Sequence, residues 1–317
     1  MQKHRIILKN FDLEDGRISF SKLQELQEKL TALAEGAVLN LVEGRSKPGR
    51  GQRPKWLKKV TDFQITGLSA GSTILDIEAP EIAKVYQSKQ FGIFDDPEAE
   101  TLLQESAFGL ASYVYEKAIT QPESSGLLDK YLLQKITDFN KILDTNKSEI
   151  EFISTGQNKV KSVTIQKKTL AKVSITEQKT RDSVKTSVSG TIDVLRNRKE
   201  QLEILTDEGK IYRAYPGNNL NIKKLKTFFG EKVRVTGLAH FKTDGNLKYF
   251  EILDIQSAGA EDRVAEELTL PIFEDIDLKR LAKEQEWQGF NERKFKQEIN
   301  DLNIEESLEE MLELLKE

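Results

Sequence analysis

Residues 186–255 constrain the fold of this chain more than any other stretch. They read as five short strands, 186–195, 201–206, 210–215, 232–241 and 247–255, with Asp207-Glu208-Gly209 and Asp244-Gly245-Asn246 as hairpin turns. One helix, over about 220–229, falls between the third and fourth strands, and Gly190 and Gly237 sit inside the first and fourth. Strands this short cannot each build a core, so the pattern predicts a small closed β-barrel.

This stretch resembles an OB-fold barrel. The resemblance implies oligonucleotide binding through the second and third strands and their loops. Those strands offer Tyr212, Arg213 and Tyr215, with Phe241, Tyr249 and Phe250 on later strands. Aromatic residues in alternating strands are more often core or cross-strand partners than stacking platforms.

The N-terminal part has a different rhythm. A short apolar run, Ile6 to Leu8, precedes a helix whose apolar positions Leu23, Leu26, Leu30, Leu33, Ala34, Ala37 and Leu41 follow helical spacing, with Ser21 and Gln24 as a capping box. Runs 63–67 and 72–78 then alternate like two strands, completing a β-α-β-β unit. Asp95-Asp96-Pro97 opens a helix through Leu102, Leu110, Val114 and Ala118, and a second carries Leu128, Leu132, Ile136, Phe139 and Leu143. The short loop between them predicts an antiparallel helical hairpin on the first sheet. Two further strands are expected at 149–154 and 160–166, and the polar segment from there to about 185 reads as the boundary between domains. The expected class is therefore α+β, with an N-terminal domain over 1–180, an OB-like barrel over 185–257 and a tail over 258–317.

Composition removes several functions. There are no cysteines, which excludes disulfides, thiol catalysis and cysteine-based zinc sites. His4 and His240 belong to no recognisable triad, and no Walker loop, HExxH or GxSxG arrangement occurs. The expectation is a protein that is not an enzyme, with no catalytic residues, no metal site and no cofactor. No apolar run approaches the roughly 20 residues of a membrane helix, and no secretory signal is read at the start, so the expected location is cytoplasmic.

Charge is unevenly distributed. Residues 259–317 carry 18 Asp or Glu against 8 Lys or Arg, while the rest of the chain carries 34 against 40. A mildly basic body thus ends in an acidic tail. Within the body, residues 45–59 (RSKPGRGQRPKWLKK) hold seven basic residues and no acidic one. Such a segment can act as a flexible arm in which Arg50, Arg53, Lys55, Lys58 and Lys59 neutralise phosphates and Trp56 stacks on a base. Equally, it can be a solvated loop whose tryptophan anchors it to the sheet. Residues 159–200 are also basic, with eleven positive against four negative charges, and read first as a linker and barrel edge.

The tail holds three short helical stripes. Leu278, Leu281 and Ala282 form the first, Phe295, Ile299 and Leu302 the second, and Ile304, Leu308, Met311, Leu312 and Leu315 the third, which Asn303 can cap. Each is too short to be stable alone in water, so each needs an apolar surface. The run from Asp277 to Gln285, then Trp287, Phe290, Phe295 and the acidic run before the last helix, resembles the toxin-neutralising end of antitoxins that pair with PIN-domain ribonucleases. That resemblance covers about 40 residues. It implies that Leu278, Leu281, Trp287, Phe290, Leu308 and Leu312 anchor a protein partner, with Arg280 or Lys283 pairing with its carboxylates.

Two functions are expected on these grounds. The first is a binding protein that caps or inhibits a partner, such as a ribonuclease toxin, through its tail. The alternative is a nucleic-acid-binding accessory protein in which the barrel and the basic segment hold RNA or single-stranded DNA.

Overall fold

Alternation over the first residues puts His4, Ile6 and Leu8 on one side of strand β1 (Gln2–Lys9), and this strand becomes the centre of the first sheet. The computed structural model of the chain describes residues 1–11, 18–48, 53–69, 73–86, 97–123, 125–154, 161–196, 201–217, 220 and 225–258. Arg50 and all the tail positions named for the helical stripes and the partner contact, from Asp277 to Leu315, lie outside the described residues.

The first sheet is antiparallel throughout, in the order β2-β3-β1-β4-β5, with β2 (Gln64–Ser69), β3 (Thr73–Ala79), β4 (Glu149–Ser154) and β5 (Ser162–Gln166). Ile6 lies opposite Leu75 on one side and Phe152 on the other, so one row of buried side chains crosses the middle of the sheet. Helix α1 (Phe20–Glu43) lays Leu26, Leu30, Leu33 and Ala37 into that core. Its cap is Ser19, whose Oγ accepts the Lys22 N–H at 3.2 Å, so the helix starts before the expected Ser21 box and Ser21 already lies inside it.

The predicted helical hairpin takes another form. The first helix is broken into α4 (Pro97–Leu103) and α5 (Ala107–Thr120), because Ser106 adopts an extended backbone and accepts the Gly109 N–H at 3.0 Å as a new cap. The second is α6 (Lys130–Thr137), which runs into a short 3-10 turn and is capped by Asp129, whose carboxylate accepts the Leu132 N–H at 2.9 Å. α5 and α6 both pack on α1 rather than on each other, and the further neighbour of α6 is α7 (Lys167–Lys179). The polar segment read as a linker is thus largely helix. Only Leu170 and Val173 of α7 are buried, which explains its weak hydrophobic signature. Two short helices, α2 (Lys55–Val60) and α3 (Ile82–Val85), complete this part.

The barrel follows at once. Strands β6 (Val184–Arg196), β7 (Gln201–Leu205), β8 (Ile211–Pro216), β9 (Lys232–Phe241) and β10 (Leu247–Ser257) close in the order β10-β8-β7-β6-β9. All their pairs are antiparallel except β8 with β10. Register shifts in β6 and β10 bend the long strands enough to close the cylinder. Close approach explains the strand glycines: a Cβ on Gly237 would lie 2.1 Å from the Glu251 carbonyl oxygen, and one on Gly190 2.5 Å from that of Leu205. Val188, Ile192, Leu202, Ile204, Ala214, Val235, Phe250 and Ile252 fill the interior. Between β8 and β9 the expected helix is described only from Leu225, through a 3-10 turn at Lys226–Phe228.

The two parts share a polar junction. Lys248 on β10 donates to Asp129 Oδ2 at 2.7 Å, and Ser46 donates to the same oxygen. Lys242 and Asp129 form an antiparallel bridge, and Thr243 donates to the Pro122 carbonyl. Among the described residues, no helix is long and apolar enough to cross a membrane.

Candidate nucleic-acid interface

The end of α1 decides where the basic segment goes. Gly44 takes the left-handed conformation at φ 78° and its N–H bonds the Asn40 carbonyl at 2.9 Å, which stops the helix and turns the chain onto the barrel. A Cβ at Gly44 would lie 3.3 Å from Tyr215 Oη and 3.8 Å from Arg213 Nη1. The next residue, Arg45, spreads its guanidinium over the Tyr215 ring, 5.0 Å from the centroid, while Glu43 holds its Nε at 2.9 Å.

Tyr215 belongs to a row of rings on the outer side of the barrel. Tyr249 meets it edge-on at 5.6 Å, and His240 stacks on Tyr249 at 4.3 Å. The expected platform is therefore largely covered. Tyr215 is 1% exposed, Tyr249 is buried, and Phe241 and Phe250 are core residues. Burial pushes the Tyr215 hydroxyl up to about 12, against the pull of Arg45, and pushes Tyr249 up as well. Arg213, opposite Glu203 on β7, points outward and is exposed, while Arg196 pairs with Glu203 at 3.2 Å. The charges of Arg45, Glu43, Arg213 and Arg196 all act on Tyr215, and with Arg45 paired to Glu43 and Arg196 to Glu203 the rim of this face carries both signs.

The other half of the segment is helical rather than a flexible arm. In α2, Leu57 and Val60 turn into the core, which leaves Lys55, Lys58 and Lys59 exposed at spacings of three and four residues on one face. Trp56 is half-buried, with its ring edge-on to Tyr86 at 4.7 Å. Arg53 precedes the helix and bonds the buried Glu35 carboxylate at 2.9 Å. Burial pushes the Glu35 carboxyl up, and the Arg53 charge only partly offsets this. The structure thus presents Lys55, Lys58 and Lys59 to solvent, ties Arg53 to a carboxylate and packs Trp56 against a neighbour.

Two histidine clusters were not legible in the sequence, because their members are far apart in the chain. His4 is buried between Ser106 Oγ at 2.7 Å from Nε2 and Ser154 Oγ at 3.0 Å from Nδ1, and burial lowers its pKa to about 4. His240 has Ser183 Oγ 2.8 Å from Nδ1 and Glu251 Oε2 3.4 Å from Nε2. In a Ser-His-carboxylate relay the serine is on Nε2 and the carboxylate on Nδ1, so this order is reversed. The approach of His240 holds the Glu251 carboxyl below its ordinary value, and the charges of Lys47 and Arg45 add to that. No group of three or more metal-ligating side chains occurs among the described residues.

No family model, no curated protein and no solved structure matches this chain.

Proposed function

We propose that this chain is a nucleic-acid-binding accessory protein that holds RNA or single-stranded DNA along a composite basic surface. One half is the outer face of β7 and β8 with Arg213; the other is the segment from Arg45 and Lys47 to the lysines of α2. The observation that carries this reading is the seat of Arg45 on Tyr215, which joins the basic segment to the barrel face. Support also comes from the barrel itself. Its strand order and its one parallel pair, between the third and fifth strands, are those of an OB-fold, whose second and third strands often bind oligonucleotides. With the aromatic row covered, affinity in this reading comes mainly from phosphate neutralisation rather than from base stacking.

The test is a titration of labelled single-stranded RNA and DNA, about 16 nucleotides long, at low salt. Binding that weakens steeply with salt, and is lost when Lys55, Lys58 and Lys59 become alanine, supports the proposal. Absence of binding at low salt contradicts it.

A second reading rests on the tail, where the helical spacing of Ile304, Leu308, Met311, Leu312 and Leu315 favours a segment that docks on a protein partner. Under it, the antitoxin-like tail occludes a ribonuclease, with Leu278, Leu281, Trp287, Phe290, Leu308 and Leu312 as anchors. Deletion of residues 276–317 then abolishes capture of the partner, and a truncated protein that still captures it sinks this reading.

A further inference from the structure

We infer that β2 is the self-association edge of this protein, and that a second copy of the chain pairs with it antiparallel across a two-fold axis. β2 ends the first sheet, and along its backbone it pairs only with β3 among the described residues. Gln64, Ile65, Thr66 and Leu68 are all exposed, with Ile65 at 52% and Leu68 at 61%, so both faces of this strand reach solvent and, among the described residues, its edge is unpaired. Natural edge strands are usually blunted by lysine, proline, inward-pointing charge or a β-bulge, and of these Gln64–Ser69 carries only the bulge after Ile65.

The strand is also complementary to itself. A register shift after Ile65 puts Ile65 opposite Ile77 and Leu68 opposite Leu75, so both side chains project on the side that faces the helices despite their odd spacing. Two copies paired antiparallel about the Thr66-Gly67 step set Ile65 against Leu68 of the partner copy, twice, on that same side. The extra residue of each strand, Thr66, then faces Gly67, which has no side chain to obstruct it. Charge does not oppose this occupant. The lysines of α2 lie just before β2, and antiparallel pairing sends the two sets to opposite ends of the contact, about 20 Å apart and beyond a Debye length of about 8 Å. A six-residue strand contact is small beside a standard interface of about 1,600 Å², so the dimer forms at micromolar rather than nanomolar concentration.

The test uses the full chain, whose lack of cysteine removes any background of crosslinking. Sedimentation should show a monomer-dimer equilibrium up to about 100 µM, shifted at least tenfold toward monomer by Leu68→Lys, with the thermal unfolding profile confirming that the variant is folded. Independently, oxidation of the Ile65→Cys, Leu68→Cys double variant should yield a disulfide-linked dimer, and Ile65→Cys alone should yield far less, because residue 65 faces 68 of the partner copy. A protein that stays monomeric throughout, a folded Leu68→Lys variant that dimerises as well as the parent, or equal crosslinking by the single and double variants would overturn the assignment.

Discussion

Lys248 on the barrel donates to Asp129 at the head of α6 across 2.7 Å, and their side chains are only 4% and 7% exposed. Burial lowers the pKa of Lys248, and the Asp129 carboxylate opposes that shift. The same carboxylate caps α6 and accepts from Ser46, so one buried charge pair ties the barrel, α6 and the segment after α1 together. Breaking such a pair on one side leaves an uncompensated charge. Lys248→Met should cost about 3–5 kcal/mol in denaturant unfolding. A loss under about 1 kcal/mol would mean that water reaches the pair and that the junction is looser than described.

Gly44 sets the direction of the basic segment. Gly44→Ala forces a Cβ into a left-handed residue at φ 78° and against Tyr215 Oη, for an expected loss of about 1–2 kcal/mol in thermal unfolding. Any nucleic-acid affinity should fall with it, since Arg45 follows directly. Unchanged stability would show that the turn tolerates a side chain.

Tyr215 invites the opposite expectation. Its hydroxyl is buried and has no hydrogen-bond partner among the described residues. Removing a buried, unsatisfied polar atom relieves a desolvation cost. Tyr215→Phe should therefore leave the melting temperature unchanged or raise it, and a clear drop would reveal a hydrogen bond that the fold makes there.

His4 supplies a pH dependence with a defined sign. Its folded-state pKa of about 4 lies below the ordinary 6.5, so the unfolded chain takes up a proton first as pH falls. Stability is full above pH 6.5 and declines as pH falls toward 4, by roughly 3 kcal/mol from this residue alone. Comparing unfolding free energies of the parent and His4→Gln at pH 7 and pH 4.5 isolates the contribution from that of the carboxylates. Equal losses in both proteins would exclude it.

The barrel was readable because its signals are local: alternation within each strand, Asp-Gly turns, and glycines where strands cross. β9 over Lys232–Phe241 starts and ends where that alternation placed it. Helix α7 was hidden, since its Lys- and Thr-rich sequence buries only two apolar side chains and resembles a linker. The break before α5 turned on a single serine whose hydroxyl caps a helix while facing His4, 102 positions away. Charge counting over residues 45–59 found the basic segment but not the carboxylates of Glu35 and Glu43 that tie up Arg53 and Arg45. Nor could it place Arg45 on Tyr215, since that contact depends on how the two parts of the fold dock.

Whether one nucleic-acid strand uses both halves of the proposed surface shows most directly in the salt dependence of binding. For a single strand, log K falls with log salt by about 0.7 per phosphate contacted. Two variants divide the surface: Arg45→Ala with Arg213→Ala on the barrel side, and Lys55→Ala, Lys58→Ala and Lys59→Ala on α2. Each should lower the slope, by up to about 1.4 and about 2.1 respectively, while the protein stays folded. A slope left at the parent value by either variant would contradict a shared binding surface.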